Sequence, residues 1–182
     1  ELRAVARDVP VIVGALGPQM LRLAGREAQG AALNWCTPEQ VAWSRERAGP
    51  NAGMVDYIRV CVDDDVPAAR LALAEQILAY ALLVRPSGAS GYRTHFERMG
   101  FADELAFLSS RRAAGASDAE VARVMPERLL ETFGYAGRGD GAQEWFARMS
   151  RGLDVAIVRI LTPRPGDPRP VEAAMRAFAP SH

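Results

Sequence analysis

Lysine is absent from this chain: all 22 basic side chains are arginine, and 22 acidic ones bring the formal net charge to zero. Nucleic acid and anionic membrane surfaces reward a cationic surplus, so neither is expected as a partner. Hydrophobic residues make up 49% of the 182 positions, yet no apolar run reaches about 18 residues, so no membrane-spanning helix is expected. No stretch joins a basic start, an apolar core and a small-residue cleavage site, which points to a cytoplasmic protein. Cysteine is scarce. Cys36 and Cys61 stand far apart in apolar contexts, without a C-x-x-C or a histidine pair, so buried reduced thiols are expected and a metal site is not. Ser-His-Asp order, H-E-x-x-H, a Walker loop and G-x-G-x-x-G are all missing, which leaves hydrolase, zinc-protease and NTPase readings without support.

What is present is rich in Ala, Arg, Gly and Pro, the composition of a GC-rich genome. The length suits a single domain over 1–182 with a substantial core. The chain opens on Glu1 and a strand-like run follows almost at once, which reads as part of a longer protein. Val9–Ala15 is a continuous β-branched run ended by glycine, as in a buried parallel strand. Pro18 opens a helix with Met20, Leu21, Leu23, Ala24 and Ala28 on one face, and Gly30 suits its stop. A second strand is expected at Ala31–Asn34. Thr37 to Gln40 reads as a capping box in which Gln40 reaches back, starting a helix to about Ala48. Asp56–Val62 alternates as a third strand, with Ile58, Val60 and Val62 opposite Tyr57, Arg59 and Cys61.

Asp63, Asp64 and Asp65 fit the positive end of the next helix, which ends near Arg85. A helical insertion over about 92–135 is broken at Gly100, Gly115 and Pro126. Asp140 is expected to cap a helix to Arg151, Asp154–Leu161 forms the last strand, and a short helix starts near Val171. Strands alternating with helices imply an α/β fold with a parallel sheet and right-handed crossovers. Four such units fall well short of the about 250 residues of a TIM (β/α)8 barrel, and make half of one.

The run from Pro10 to Pro18, with Leu21–Gly25 and Gly30, resembles the fifth-strand signature of luciferase-like flavin- or deazaflavin-dependent oxidoreductases. Tyr92–Phe96 with Met99–Phe101 is similar to that family's helical insertion, and Phe133–Gly137 through Gly152–Val158 to its last helix and eighth strand. The resemblance implies a TIM barrel to which this chain supplies strands five to eight. It also implies hydride transfer or monooxygenation of a small-molecule substrate. Coenzyme F420, the deazaflavin, is favoured by the GC-rich composition, with FMN as the alternative. Gln29 departs from the acidic residue usual in the family and should alter local hydrogen bonding there.

The turn Gly14, Ala15, Leu16, Gly17 and Pro18 lies between a strand end and a helix start. Free amides there form an anion site, and glycines let a phosphate approach the backbone. By resemblance this loop holds the cofactor phosphate, chiefly through the amides of Leu16 and Gly17; as a bare motif it reads first as a tight strand-to-helix connection. Asn34 and Trp35 close the next strand on the same face, as cofactor contacts or as turn and core residues. Arg59 either points inward toward an anion or pairs with a carboxylate, and His95 is expected to be packed or solvated. Catalytic residues are not assigned, since by resemblance most belong to the first four units.

A half barrel exposes two strand edges, so a homo-oligomer is expected. The alternative function is a non-catalytic phosphate-ligand module that completes its barrel by homodimerisation. Ser117–Met125 superficially resembles the first helix of a helix-turn-helix, but Pro126, Glu127 and Glu131 make a poor recognition helix.

Overall fold

Thr37 accepts the Gln40 N–H through its side chain at 3.2 Å, with Pro38 in the first helical position behind it. Asp65 and Ser117 likewise accept a backbone N–H at a helix start, from Ala68 and Glu120. The computed structural model describes residues 9–83 and 91–179. In order they form β1 (Ile12–Gly14), α1 (Pro18–Glu27), β2 (Gly30–Ala32), α2 (Pro38–Ala48), β3 (Gly53–Val62) and α3 (Val66–Ala81). Four short helices follow: α4 (Gly91–Arg98), α5 (Ala102–Ala113), α6 (Asp118–Arg123) and α7 (Glu127–Phe133). The chain closes with β4 (Gly134–Gly137), α8 (Ala142–Met149), β5 (Val155–Ile160) and α9 (Arg169–Phe178). Two compact units contain them: one the described residues up to Ile58 with Ala147–Ile157, the other Arg59–Phe146 with the described residues from Val158.

In the first unit β1, β2 and the start of β3 run parallel, with Val13, Ala31 and Met54 in register. Leu33 N–H reaches Val55 O and Asp154 N–H reaches Met54 O. Neighbouring residues of a strand point their amides to opposite edges, so β2 and β5 flank β3 on either side. Helices of 10 and 11 residues are marginal alone. Here α1 and α2 bury Leu21, Ala24 and Val41 on the face carrying Ala31 and Met54. The opposite face stays open: Ile12 and Tyr57 are 42% and 41% exposed.

In the second unit β3 ends between β4 and β5. Asp63 N–H bonds Gly137 O on one edge and Leu161 N–H bonds Val60 O on the other. Helix α3 packs on β4 and on α4, α6 and α7. A Cβ on Gly134 would lie 2.4 Å from the Leu73 side chain, so glycine lets β4 pass beneath α3 without displacing that leucine. Phe133 stacks edge-on against Phe96 at 4.7 Å, with Phe101 at 4.9 Å. Buried Leu105, Leu108 and Leu129 add on the order of 2 kcal/mol each. Val60, Val62 and Ala174 form a second cluster under Tyr135, Trp145 and Phe178.

Several local expectations need correction. Strand β4 lies where the sequence reads as the tail of the helical insertion, because four residues flanked by glycine carry no periodicity. Gln40 does not close the capping box; its amide turns to Ser44 Oγ at 3.5 Å. Gly30 is a strand residue, and α1 ends at Glu27 with Ala28 as its cap. Asp140 offers its backbone carbonyl to Tyr135 Oη, while α8 starts at Ala142. The breaks at Gly100 and Gly115 stand, with φ of 87° and 93°, which glycine adopts freely. The expected helix end at Arg85 lies outside the described residues. Among the described residues no helix is long and apolar enough to cross a membrane.

Candidate functional site

Glycines in the first unit divide into two kinds. A Cβ on Gly25 would sit 1.7 Å from Ala48 O, and one on Gly30 2.3 Å from Gly53 O, so close packing demands both. Around Gly14 and Gly17 nothing lies within 4 Å of such an atom. Neither has positive φ; Gly17 is extended at −99° and 158°. Backbone conformation and packing therefore do not require glycine at these two positions. What remains is open space beside bare backbone.

That space lies at a helix start. Gly17 is the N-cap of α1 and offers no side-chain cap, while Pro18 brings no N–H. The first bond of the helix is Leu21 N–H to Gly17 O, at 3.0 Å, so the N–H groups of Gln19 and Met20 precede it. Amides in this position, with the positive end of the helix dipole behind them, suit an anion. Ala15 is buried and anchors the loop by its N–H to Ala32 O, at 3.0 Å.

Parallel register sets the end of β2 beside this loop, since Gly14 pairs with Ala32. Asn34 and Trp35 follow within three residues, so the structure brings the sequence-derived set together at one edge of the first unit. Trp35 is 2% exposed and holds φ at 59°, the one positive φ on a non-glycine residue among those described. For a bulky side chain that conformation costs roughly 1–2 kcal/mol. The turn is pinned from both sides: Cys36 N–H donates to buried Asp56 at 3.2 Å, and Cys36 Sγ donates to Asn34 O at 3.8 Å. Asp56 also accepts Tyr57 N–H, at 2.7 Å. Tryptophan has no left-handed preference, so the sequence carries no sign of this strain. Gln29 accepts Val11 N–H through Oε1 at 2.7 Å.

The other singled-out residues lie in the second unit. Arg59 is 1% exposed, with its guanidinium 5.6 Å from the Tyr80 ring, and does not lie at the surface. His95 is fully buried beside Phe96. Buried Cys61 has its thiol pushed up to about 12, first by burial and then by Asp63, with Arg164 opposing. The acidic triplet does more than start a helix: Asp65 caps α3 through Ala68 N–H at 3.1 Å, while Asp63 pairs with Arg164. Beyond the ends of β3 and β4 a cavity of about 480 Å³ opens, walled by Asp63, Asp64, Arg138, Arg164 and Arg169. No spacing in the sequence links these positions.

The luciferase-like monooxygenase family matches residues 2–154. A 5,10-methylenetetrahydromethanopterin reductase from Methanolobus tindarius is 26% identical over 176 residues, 92% of this chain and 52% of that protein. The coenzyme F420-dependent tetrahydromethanopterin reductase of Methanopyrus kandleri superposes with a TM-score of 0.65 at 18% identity. That match covers 94% of this chain and 50% of the other. An F420-dependent secondary alcohol dehydrogenase in complex with an F420–acetone adduct gives 0.52 at 16% identity, over 86% and 44%. The chain therefore shares the α/β fold of these structures and spans about half the length of the relatives it matches.

Proposed function

The chain belongs to the luciferase-like monooxygenase family, and on that premise we propose that the full-length protein is an F420-dependent oxidoreductase acting on a small organic substrate. In this reading the chain contributes strands five to eight of an eight-stranded barrel. The open face with Ile12 and Tyr57 then belongs to the barrel interior, since every strand of a closed barrel is covered on both sides.

The observation that carries the cofactor reading is the pair Gly14 and Gly17. Both lack a side chain where neither backbone nor packing forbids one, at the unfilled start of α1. The residues fit the phosphate end of the deazaflavin: Gly14 and Gly17 admit it, the amides of Gly17, Gln19 and Met20 donate to it, and Pro18 fixes where the helix starts. Asn34 stands on the same edge. Trp35, in a strained turn that Asp56 holds through Cys36 N–H, would stiffen the rim beside the cofactor. When bound, the deazaflavin would supply hydride exchange, and the residues of this loop would hold and orient its phosphate end.

Fluorescence titration of the full-length protein with F420 and with FMN tests the proposal. Saturable binding of F420 is expected. Preference for FMN would move the protein to the reduced-flavin branch, and no binding of either would overturn the reading.

A further inference from the structure

The cavity beyond β3 and β4 is built differently from an ordinary patch of surface ion pairs. We propose that it is a binding site for one oxyanion group, a carboxylate or a phosphate, carried by a small-molecule ligand and gripped by Arg138, Arg164 and Arg169.

Two acids, Asp63 and Asp167, are largely buried under the more exposed Arg164 and Arg169. The side chains of Asp63 and Asp167 are 7% and 11% exposed, against 42% for Arg164 and 78% for Arg169. Every carboxylate oxygen of the lower layer is already in use. Asp167 accepts Arg169 Nε at 2.9 Å and Nη2 at 2.7 Å, Arg164 Nε at 3.1 Å and the Arg169 backbone N–H at 3.1 Å. Asp63 accepts Arg164 Nη2 and the Asp65 N–H. These bonds hold Asp167 well below the usual carboxylate range, with Arg169 the largest cause.

The arginines are left with donors to spare. Among the described residues the Nη1 hydrogens of Arg164 and Arg169 have no acceptor, and Arg138 makes neither a hydrogen bond nor an ion pair. Guanidiniums whose rotamers are fixed by carboxylates beneath them lose little entropy on meeting a planar or tetrahedral oxyanion. The volume, about 480 Å³, suits a small molecule. The position suits one too, because parallel α/β folds place ligands beyond the C-terminal ends of their strands.

Asp64, Asp65 and Glu172 also line the cavity, as does Arg176, so the site works through directed donors and not through a strong positive field. This favours a single oxyanion group over a polyanion. Its service as the handle on the substrate rests on the oxidoreductase reading; the binding of an oxyanion does not.

The test is amide-resolved NMR titration of the ¹⁵N-labelled full-length protein with inorganic phosphate and, separately, with malonate. Saturating shifts at Arg138, Asp167 and Arg169 are expected from at least one, and the effective anion identifies the group. Arg138→Gln should weaken that binding about tenfold. Asp64→Asn should tighten it about threefold by removing a repelling charge, a gain that misfolding cannot mimic. No saturable shift at these residues with either anion, or affinities unmoved by both variants, would overturn the proposal. Because F420 binding is read separately, failure here leaves the cofactor reading standing, and the reverse also holds.

Discussion

Gly25 lies directly against Ala48: a Cβ there would come within 1.7 Å of the Ala48 carbonyl oxygen. Helices α1 and α2 can touch backbone to backbone only because that atom is missing. Gly25→Ala must therefore separate the helices and open the core around Leu21, Ala24 and Val41, for a loss of about 3 kcal/mol or more. Urea denaturation would read it as a lower midpoint. A loss under about 1 kcal/mol would mean the two helices have room to part.

Trp35 makes the opposite demand on its backbone. Truncation to Ala removes the buried ring and leaves a Cβ in the left-handed region at φ 59°. Truncation to Gly removes the ring and relaxes the backbone. Trp35→Gly is therefore expected to be more stable than Trp35→Ala by about 1 kcal/mol, reversing the usual order of these residues. Equal midpoints for the two variants would show that the turn is not strained.

Asp154 links stability to pH. Its carboxyl is held below its ordinary value, first by the Met54 N–H at 2.7 Å and then by Arg45 at 2.8 Å. A depressed folded-state value means the stabilisation is complete above the unfolded value of about 3.9 and is lost as pH falls through the folded one. The side chain is 54% exposed, so solvent screens much of it. Asp154→Asn should cost about 1 kcal/mol at neutral pH and flatten the acid limb of the stability curve below about pH 4. An unchanged acid limb would contradict this assignment.

Cys61 should be inert. With its thiol pushed up to about 12 inside the second unit, alkylation at pH 8 should run roughly a thousandfold slower than for an exposed cysteine, and speed up on unfolding. Mass spectrometry after timed iodoacetamide treatment measures this. Rapid labelling of the folded protein at Cys61 would rule out the burial described.

Legibility in the sequence followed the range of the interactions. The Thr37 cap, the breaks at Gly100 and Gly115 and the β-branched run of β1 declare themselves within a few residues, because their causes are local. Strand β4 depends on its pairing with β3 and on the fit of Gly134 under Leu73 of α3, both contacts far back in the chain. The pairing of Asp63 with Arg164 spans more than half the sequence, and neither residue type announces a partner. In the candidate loop the motif was legible, but its meaning was not. A G-x-x-G-P turn reads the same whether glycine serves the backbone or a ligand. The open space around Gly14 and Gly17, set against the crowding at Gly25 and Gly30, shows only that packing does not require glycine in that turn.

The most direct measurement compares F420 affinity of the full-length protein with that of its Gly14→Val variant, alongside urea denaturation of both. Valine suits an extended strand end, and nothing lies within 4 Å of its Cβ, so stability should hold or rise slightly. Binding should fall by about tenfold or more, because the branched side chain fills the space given to the phosphate. Undiminished F420 affinity in a fully folded Gly14→Val protein would contradict the assignment of this loop to the cofactor.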